Sequence, residues 1–407
     1  MFEIFRGRPR LGAAFLAGAL VLLAAALAYI APKVLSDAIA IDFRFIWLAG
    51  TLWSEGIDPY GAAFAAEAEA RLRPGNVPSF LLYPPGWWGI AVAFAALDET
   101  TASLLWRVVS ILAAALGAGA MLLALRRETD ADWRALTGLG ALALALTLGS
   151  VAAANNITIA QTSMLVLLGG GLAGAGVIAG SRAALIAGLL ILSLKPSIGL
   201  AFVPCLLLLR TPLLGTVALG LLVLAISAPP LLAFGPIETV RGFIESAGRY
   251  GSLDINAGPA LTGLRHLAWQ ATGAAPSAML LLGLSGIVSA LGIWAARPLA
   301  GTAAGRALAF AFAISTLLCV APLHSYDFVF LLPLLLLIPL LRVADGMVIG
   351  AAFLFTMRST NIAPLLGLVP EGSVLPGTTV NTLAALALFL WFAARLGLAL
   401  RSATRDG

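Results

Sequence analysis

Asp42 is an acidic residue in an unusual place, because it follows a long apolar run in a chain that otherwise avoids charge. A carboxylate at the edge of the membrane hydrocarbon costs free energy, so it is interpreted first as a functional group. The next segment, from Gly50 to Tyr60, ends in a Gly/Pro turn and predicts a helix along the membrane surface that could hold an acid at the mouth of a cavity. The alternative is that Asp42 pairs with Arg44 or caps a helix.

Cations also occur where the sequence predicts membrane depth. Lys195 interrupts an apolar run just before Pro196 and needs an anionic partner, unless its side chain extends to the interface. Arg358, near Asn361, is a second such charge, for which an anionic headgroup is a candidate partner. Arg265 ends a loop that begins at Asn256 and suits a phosphate or sugar hydroxyl groups, although an ordinary surface loop would look similar.

Two further motifs lie near predicted span ends. His324, close to Tyr326 and Asp327, could carry a proton or donate a hydrogen bond, or it could be a buried structural histidine. The motif from Tyr83 to Trp88 combines two prolines with three aromatic residues, a pattern that is also typical of ordinary aromatic belts.

Composition defines the class of protein. Hydrophobic residues make up 61% of the 407 residues, charged residues make up 11%, and the mean hydropathy is +1.02. These values predict a polytopic membrane protein. The formal charge of +5 comes from basic residues at the ends of apolar runs, so no nucleic-acid partner is implied. Nucleotide-binding, zinc and serine-hydrolase motifs are absent, and we expect neither a metal nor a cofactor.

Ten apolar runs are predicted to cross the membrane. They are Leu11–Ala31, Ala102–Leu125, Ala135–Ala154, Gln161–Gly180, Pro212–Phe234, Ala278–Ala296, Ala303–Val320, Phe328–Leu341, Val348–Leu368 and Thr379–Leu396. The first run is long enough to span and is interpreted as a retained helix rather than a signal peptide.

The distribution of arginine predicts the orientation, with the N-terminus in the cytoplasm. Segment 80–97 must then be interfacial or re-entrant, and the apolar stretch around Lys195 must form a broken helix pair. Residues 32–79 form a first outer loop and residues 235–276 a second one. No soluble domain is visible, so residues 1–407 are expected to form one membrane-embedded domain.

Taken in order, these motifs resemble glycosyltransferase family 87. The resemblance rests on Asp42-Phe43, Gly56 to Tyr60, Tyr83-Pro84-Pro85, Gln161, Lys195-Pro196, the loop from Asn256 to Arg265, and Pro322 with His324. It implies an all-α GT-C fold with about 10–13 membrane helices and interfacial helices in the first outer loop. It also implies transfer of a hexose, typically mannose, from a polyprenyl-phosphate donor to a lipid or glycan acceptor, with inversion.

The resemblance implies roles for individual residues. Asp42 would be the general base. Lys195, Arg265, His324 and Arg358 would bind the donor phosphate or sugar. The residues expected to position substrate are Arg44, Tyr83, Gln161, Asn256 and Asp327. The expected setting is a bacterial inner membrane, with membrane lipids as neighbours and the active site on the outer face.

A multi-pass transporter or lipid flippase is the alternative function. The many spans and the broken helix at Lys195 favour it. It would place polar residues near mid-membrane, with access from both sides and usually an internal repeat.

Overall fold

The computed structural model describes residues 8–36, 40–72, 79–253, 256, 260–369 and 377–403, and none of these residues lies in a β-strand. The α-helices are, in chain order, α1 (Pro9–Val34), α2 (Ile41–Ser54), α3 (Ala63–Arg71), α4 (Trp88–Ala95), α5 (Glu99–Glu128), α6 (Trp133–Leu148), α7 (Val151–Thr158), α8 (Ser163–Ala179), α9 (Arg182–Ser193), α10 (Pro196–Gly199), α11 (Pro212–Phe234), α12 (Pro236–Gly251), α13 (Leu264–Thr272), α14 (Ala278–Ala296), α15 (Ala303–Val320), α16 (Leu331–Leu337), α17 (Val343–Met357), α18 (Ser359–Leu365) and α19 (Thr378–Ala403).

Six helices in the described part of the chain are long and apolar enough to cross a membrane. They are α1, α5, α11, α15, α19 and α14 with its 3-10 extension to Leu299. A seventh span results if α6 and α7, which meet at 65°, count as one bent helix. The protein is therefore an all-helical, multi-pass membrane protein. The predicted 10–13 spans would be reached only if shorter apolar helices, such as α8 and α17, also cross.

Three helices have the ends that were predicted from the sequence. α11, α14 and α15 begin and end at the predicted residues. Pro212 begins α11, where its missing N–H costs nothing, and Gly235 with φ of 87° follows its end. Thr302 caps α15 by accepting a hydrogen bond from the Gly305 N–H.

Two predicted spans are interrupted. The run at 135–154 bends after Leu148, and the run at 348–368 is divided between α17 and α18 at Arg358. Segment 80–97 contains only a short 3-10 turn and the eight-residue α4. At 1.5 Å per residue α4 is about 12 Å long, so this segment is too short to be an ordinary span.

The break at Lys195 also occurs as predicted. α9 ends at Ser193, and Pro196 begins the four-residue α10, which leaves Lys195 between the two helices. A 3-10 helix, Val203–Leu208, completes the short second arm.

The buried centre of the bundle contains α8 and α15, whose residues are mostly inaccessible. α5 packs directly against α8 through glycines. A Cβ atom on Gly171 would lie 2.3 Å from the backbone oxygen of Gly117, so only a hydrogen atom fits between the two helices.

α2 is held in place on two sides. Its residue Gly50 packs on α4 so closely that a Cβ atom would lie 2.1 Å from the Ala91 oxygen. On the other side, the Arg107 guanidinium of α5 binds the chain just ahead of α2. It donates to the carbonyl groups of Val34 and Ser36 at 3.2 and 2.8 Å, and to the Thr158 carbonyl at 3.2 Å. These contacts connect the C-terminal end of α1 to α7 shortly before α2 begins.

Candidate active site

Asp42 lies in the first turn of α2. Its backbone N–H donates to the Ile159 carbonyl at 3.1 Å, and its Oδ2 accepts a hydrogen bond from Gln161 Nε2 at 3.1 Å. Burial raises the pKa of Asp42 to about 7, the nearby Lys195 lowers it, and Asp327 raises it. A carboxyl group with a pKa near neutrality is suited to exchange protons at physiological pH.

Gln161 is held so that its amide nitrogen faces Asp42. Its Oε1 accepts hydrogen bonds from the Thr162 N–H at 2.6 Å and the Thr162 hydroxyl at 2.9 Å, and the Tyr83 hydroxyl lies 3.5 Å away. The preceding Ala160 has φ of 53°, and it is the only non-glycine residue with positive φ among those described. Such a conformation is strained for alanine, which indicates that the turn between α7 and α8 is held firmly by its surroundings.

Lys195 has an acidic partner. Its Nζ lies 2.7 Å from Asp327 Oδ1 and 2.6 Å from Ser163 Oγ, and Ser163 Oγ in turn donates to Asp327 Oδ1 at 2.5 Å. The other oxygen, Asp327 Oδ2, accepts from the His324 backbone N–H at 3.1 Å. Asp327 therefore anchors both Lys195 and the turn that carries His324.

His324 is a buried, neutral histidine. Burial is the main cause that lowers its pKa to about 4. Its Nε2 lies 3.0 Å from Asn256 Oδ1, while Asn256 Nδ2 donates to the Tyr250 carbonyl at 2.5 Å. Because the Asn256 oxygen can only accept, this hydrogen bond requires the proton on His324 Nε2. The Tyr326 ring stacks on His324 at 4.9 Å.

Arg265, at the start of α13, is a buried cation that lacks full pairing. Its exposed fraction is 6%, and its Nε and Nη1 have no hydrogen-bond partner in the described structure. Burial lowers its pKa, and its charge in turn lowers the pKa of His324. Arg265 therefore lies near the polar cluster with donors available, although it does not line the cavity described next.

A cavity of about 370 Å³ joins most of these groups. Its polar side chains are Tyr83, Gln161, Lys195, Ser197, Tyr250, Asn256, His324, Tyr326 and Asp327. The rest of the wall is apolar and comes mainly from α12, the N-terminal end of α14 and the turns around Leu82 and Leu200. Asp42 is one hydrogen bond behind this wall, through Gln161.

Two of the predicted site residues lie elsewhere. The Arg44 Nε donates to Glu99 Oε1 at 2.7 Å, so Arg44 pairs with α5 rather than with Asp42. Arg358 is exposed, and its guanidinium lies 5.2 Å from the Tyr29 ring of α1. Neither residue lines the cavity.

Several residues of the site have no clear signal in the sequence. Ser163 follows Gln161 by two positions, and Tyr250 and Phe243 lie on α12, a segment that was predicted to be part of the second outer loop. Tyr326 was noted only as a neighbour of His324. Its ring lies 5.4 Å from Lys195 Nζ, a contact that no local signal predicts.

Comparison with known proteins gives little further information. No family model matches the chain, and no curated protein matches it. Among solved structures, it is similar to ArnT from Cupriavidus metallidurans bound to undecaprenyl phosphate. The identity is 18% and the TM-score 0.34, over 94% of this chain and 76% of that one.

Proposed function

We propose that this protein is a membrane glycosyltransferase of the GT-C type, as its resemblance to family 87 implies. It moves a hexose, with mannose as the first candidate, from a polyprenyl-phosphate donor to a lipid or glycan acceptor, with inversion. The observation that carries this proposal is the hydrogen bond between Gln161 and Asp42. It connects a carboxyl group of near-neutral pKa with a cavity that is apolar along most of its wall and polar at one end.

The cavity suits an amphiphilic donor. Ile244 and Met279 are 58% and 60% exposed, and both line it, so its accessible rim is apolar. His324, Asp327 and Asn256 are buried at its polar end. A prenyl chain would lie along the rim while the phosphate and sugar reach the polar end. Each part of such a molecule would meet matching chemistry.

In the proposed reaction, the acceptor oxygen attacks the anomeric carbon of the donor sugar. The acceptor O–H bond breaks and its proton passes to Asp42. The bond between the anomeric carbon and the phosphate oxygen breaks, and its electron pair stays on the phosphate. An inverting transfer needs one carboxylate beside the incoming hydroxyl group, on the face opposite the leaving group. Gln161 engages Asp42 Oδ2, and Oδ1 would receive the proton.

Cations would stabilise the negative charge that grows on the departing phosphate. An ammonium group has three donors, of which Lys195 gives one to Ser163 and one to Asp327, so one is left for a phosphate oxygen. Arg265 does not line the cavity, but its charge, which acts on His324, would add to the stabilisation of the phosphate. His324 would donate from Nε2 to the phosphate or sugar after releasing Asn256. Arg358 is not included, because it lies away from the cavity.

The test compares wild type with Asp42→Asn, using purified protein and a radiolabelled polyprenyl-phosphate-linked hexose. We expect the variant to bind the carrier lipid normally and to transfer no sugar. Near-full transfer by Asp42→Asn would refute the role of Asp42. We also propose that the site lies on the outer face of a bacterial inner membrane, with the N-terminus in the cytoplasm.

A transporter or flippase is kept as the second candidate because the helix break at Lys195 is the kind of feature that forms transport sites. Labelling of a single cysteine introduced at position 42 separates the two functions. Reaction from the outer face alone supports the transferase, whereas reaction from both faces under transport conditions supports the transporter.

A further inference from the structure

Trp87 lies between the helix break at Lys195 and Tyr83, whose hydroxyl group is near Gln161. It is 1% exposed, in the 3-10 turn Pro85–Trp87, and its indole Nε1 donates to the Leu194 carbonyl at 2.7 Å. Leu194 directly precedes Lys195. A buried tryptophan with this hydrogen bond is not part of an interfacial aromatic belt.

The Leu194 carbonyl needs a hydrogen-bond donor from another segment of the chain. In a continuous helix the N–H group four residues later would bind it, but the Ile198 N–H donates to Lys195 instead, at 2.9 Å. Unpaired buried carbonyl groups are rare because their desolvation is costly. Trp87 therefore satisfies a group that the helix break exposes, and it does so next to the cation.

The same short segment also reaches the acid. Tyr83 lies near Gln161, which donates to Asp42, and the Tyr83 carbonyl accepts a hydrogen bond from the Tyr60 hydroxyl at 2.6 Å. The Tyr83 and Trp87 rings are 5.7 Å apart. The segment packs tightly, since a Cβ atom on Gly86 would lie 3.3 Å from a methyl group of Leu194.

We infer that Trp87 is a positioning residue, which holds Lys195 beside Asp327 through the Leu194 carbonyl. This inference rests on the proposed function for its catalytic meaning, although its structural part can be tested without transfer. The charged groups that affect the pKa of Asp42 are Lys195 and Asp327. Three tyrosines also interact electrostatically with Asp42, namely Tyr83, Tyr250 and Tyr326. Arg44, on the same helix, is paired with Glu99.

The chain offers a matched control in Trp106. Its ring is also buried and lies 5.7 Å from that of Trp87, but its Nε1 has no hydrogen-bond partner in the described structure. Trp87→Phe and Trp106→Phe remove the same atoms from the same aromatic cluster. Only the first removes a hydrogen bond to the break at Lys195.

The first measurement is the rate at which acetic anhydride acetylates Lys195, followed by mass spectrometry in the full-length protein. We expect Lys195 to be acetylated several times faster in Trp87→Phe than in wild type, because it is released from Asp327. In Trp106→Phe, Lys195 should be acetylated at the wild-type rate. Equal rates in all three proteins, or an equal increase in both variants, would overturn the inference. This result is independent of whether the protein transfers sugar.

The second measurement is the pH profile of kcat/KM. We expect Trp87→Phe to lose activity by up to about 100-fold, as small displacements at active sites can do. Its acidic limb should move to higher pH, because Lys195 no longer lowers the pKa of Asp42. A profile at the wild-type position would contradict the role. If wild type transfers nothing, the proposed function fails and the acetylation result still stands.

Gly86→Ala is a second variant that tests the inference if Trp87→Phe folds poorly. The added methyl group meets only flexible side-chain ends of Ile226 and Leu194, at 3.1 and 3.3 Å. It should displace the segment slightly with Trp87 intact. We expect smaller changes in the same directions, and changes in the opposite direction would count against the inference.

Discussion

Gln161 and Asp42 are separated by 119 residues in sequence, and their side chains are joined by a 3.1 Å hydrogen bond. The amide cannot turn around without placing its nitrogen against the N–H and hydroxyl donors of Thr162. Gln161 thus presents a fixed donor to the carboxyl group. The predicted role of Gln161, to position substrate, becomes in this geometry a role in orienting the proposed base.

Replacing Gln161 by Glu should weaken the proposed base. One carboxylate oxygen could still accept from Thr162, while the other would face Asp42 and repel it. A like charge at this distance raises the pKa of Asp42 further. We expect the acidic limb of kcat/KM to move to higher pH and activity at pH 7 to fall by about 10-fold or more. A wild-type pH profile would argue against contact between the two side chains in the working enzyme.

The wild-type enzyme should lose activity in mildly acidic solution. Asp42 must be ionised to accept a proton, and its pKa is about 7. kcat/KM should therefore fall about tenfold for each pH unit well below 7. His324 should not contribute a limb near neutrality, because burial lowers its pKa to about 4. A rate that is constant from pH 5 to pH 8 would exclude Asp42 as a base with this pKa.

Lys195 and Asp327 should be strongly coupled in stability. Removing one partner of a buried ion pair typically costs about 3–5 kcal/mol, because the other charge is left unpaired. We expect Asp327→Asn and Lys195→Met each to be strongly destabilising. The double variant should be less destabilised than the sum of the two, as measured by unfolding in detergent.

An exposed ion pair supplies the control for that cycle. Arg71 and Glu55 lie on the surface, with side chains 31% and 40% exposed. Glu55→Gln should leave the free energy of unfolding almost unchanged, because water screens an exposed ion pair. Similar effects at the two pairs would mean that the pair at the cavity is open to water.

The glycine contact between α5 and α8 should not tolerate a methyl group. In Gly171→Ala the new Cβ atom would lie 2.3 Å from a backbone oxygen, so the helices must separate. We expect a loss of about 1–3 kcal/mol, as is typical of overpacking. Gly119→Ala on α5 meets nothing within 4 Å and should be neutral or stabilising, because alanine favours helix. Equal melting temperatures for the two variants would contradict this packing.

Sequence was sufficient for features with local causes. The runs that form α11 and α15 had correct predicted ends, because Pro212 begins the first helix and the Thr302 hydroxyl caps the second within one turn. Lys195-Pro196 gave the helix break for the same reason. Asp42 and Lys195 were selected because a charged group in an apolar setting is costly.

Sequence was insufficient where partners come from distant segments. Arg44 is two residues from Asp42, but its guanidinium pairs with Glu99, on a helix that only the fold brings near. Arg358 was predicted to bind the donor, but it lies between α17 and α18 beside Tyr29 of α1 and does not line the cavity. The loop at 257–259, expected to contact substrate, lies outside the described residues.

Arg265 has a consequence for the resting protein. A guanidinium that is withdrawn from water without a full set of acceptors makes the folded protein less stable than it could be. An anion arriving beside it would supply those acceptors and recover part of that cost. The protein should therefore be less stable during purification without an anionic ligand, and simple phosphate-bearing lipids should stabilise it.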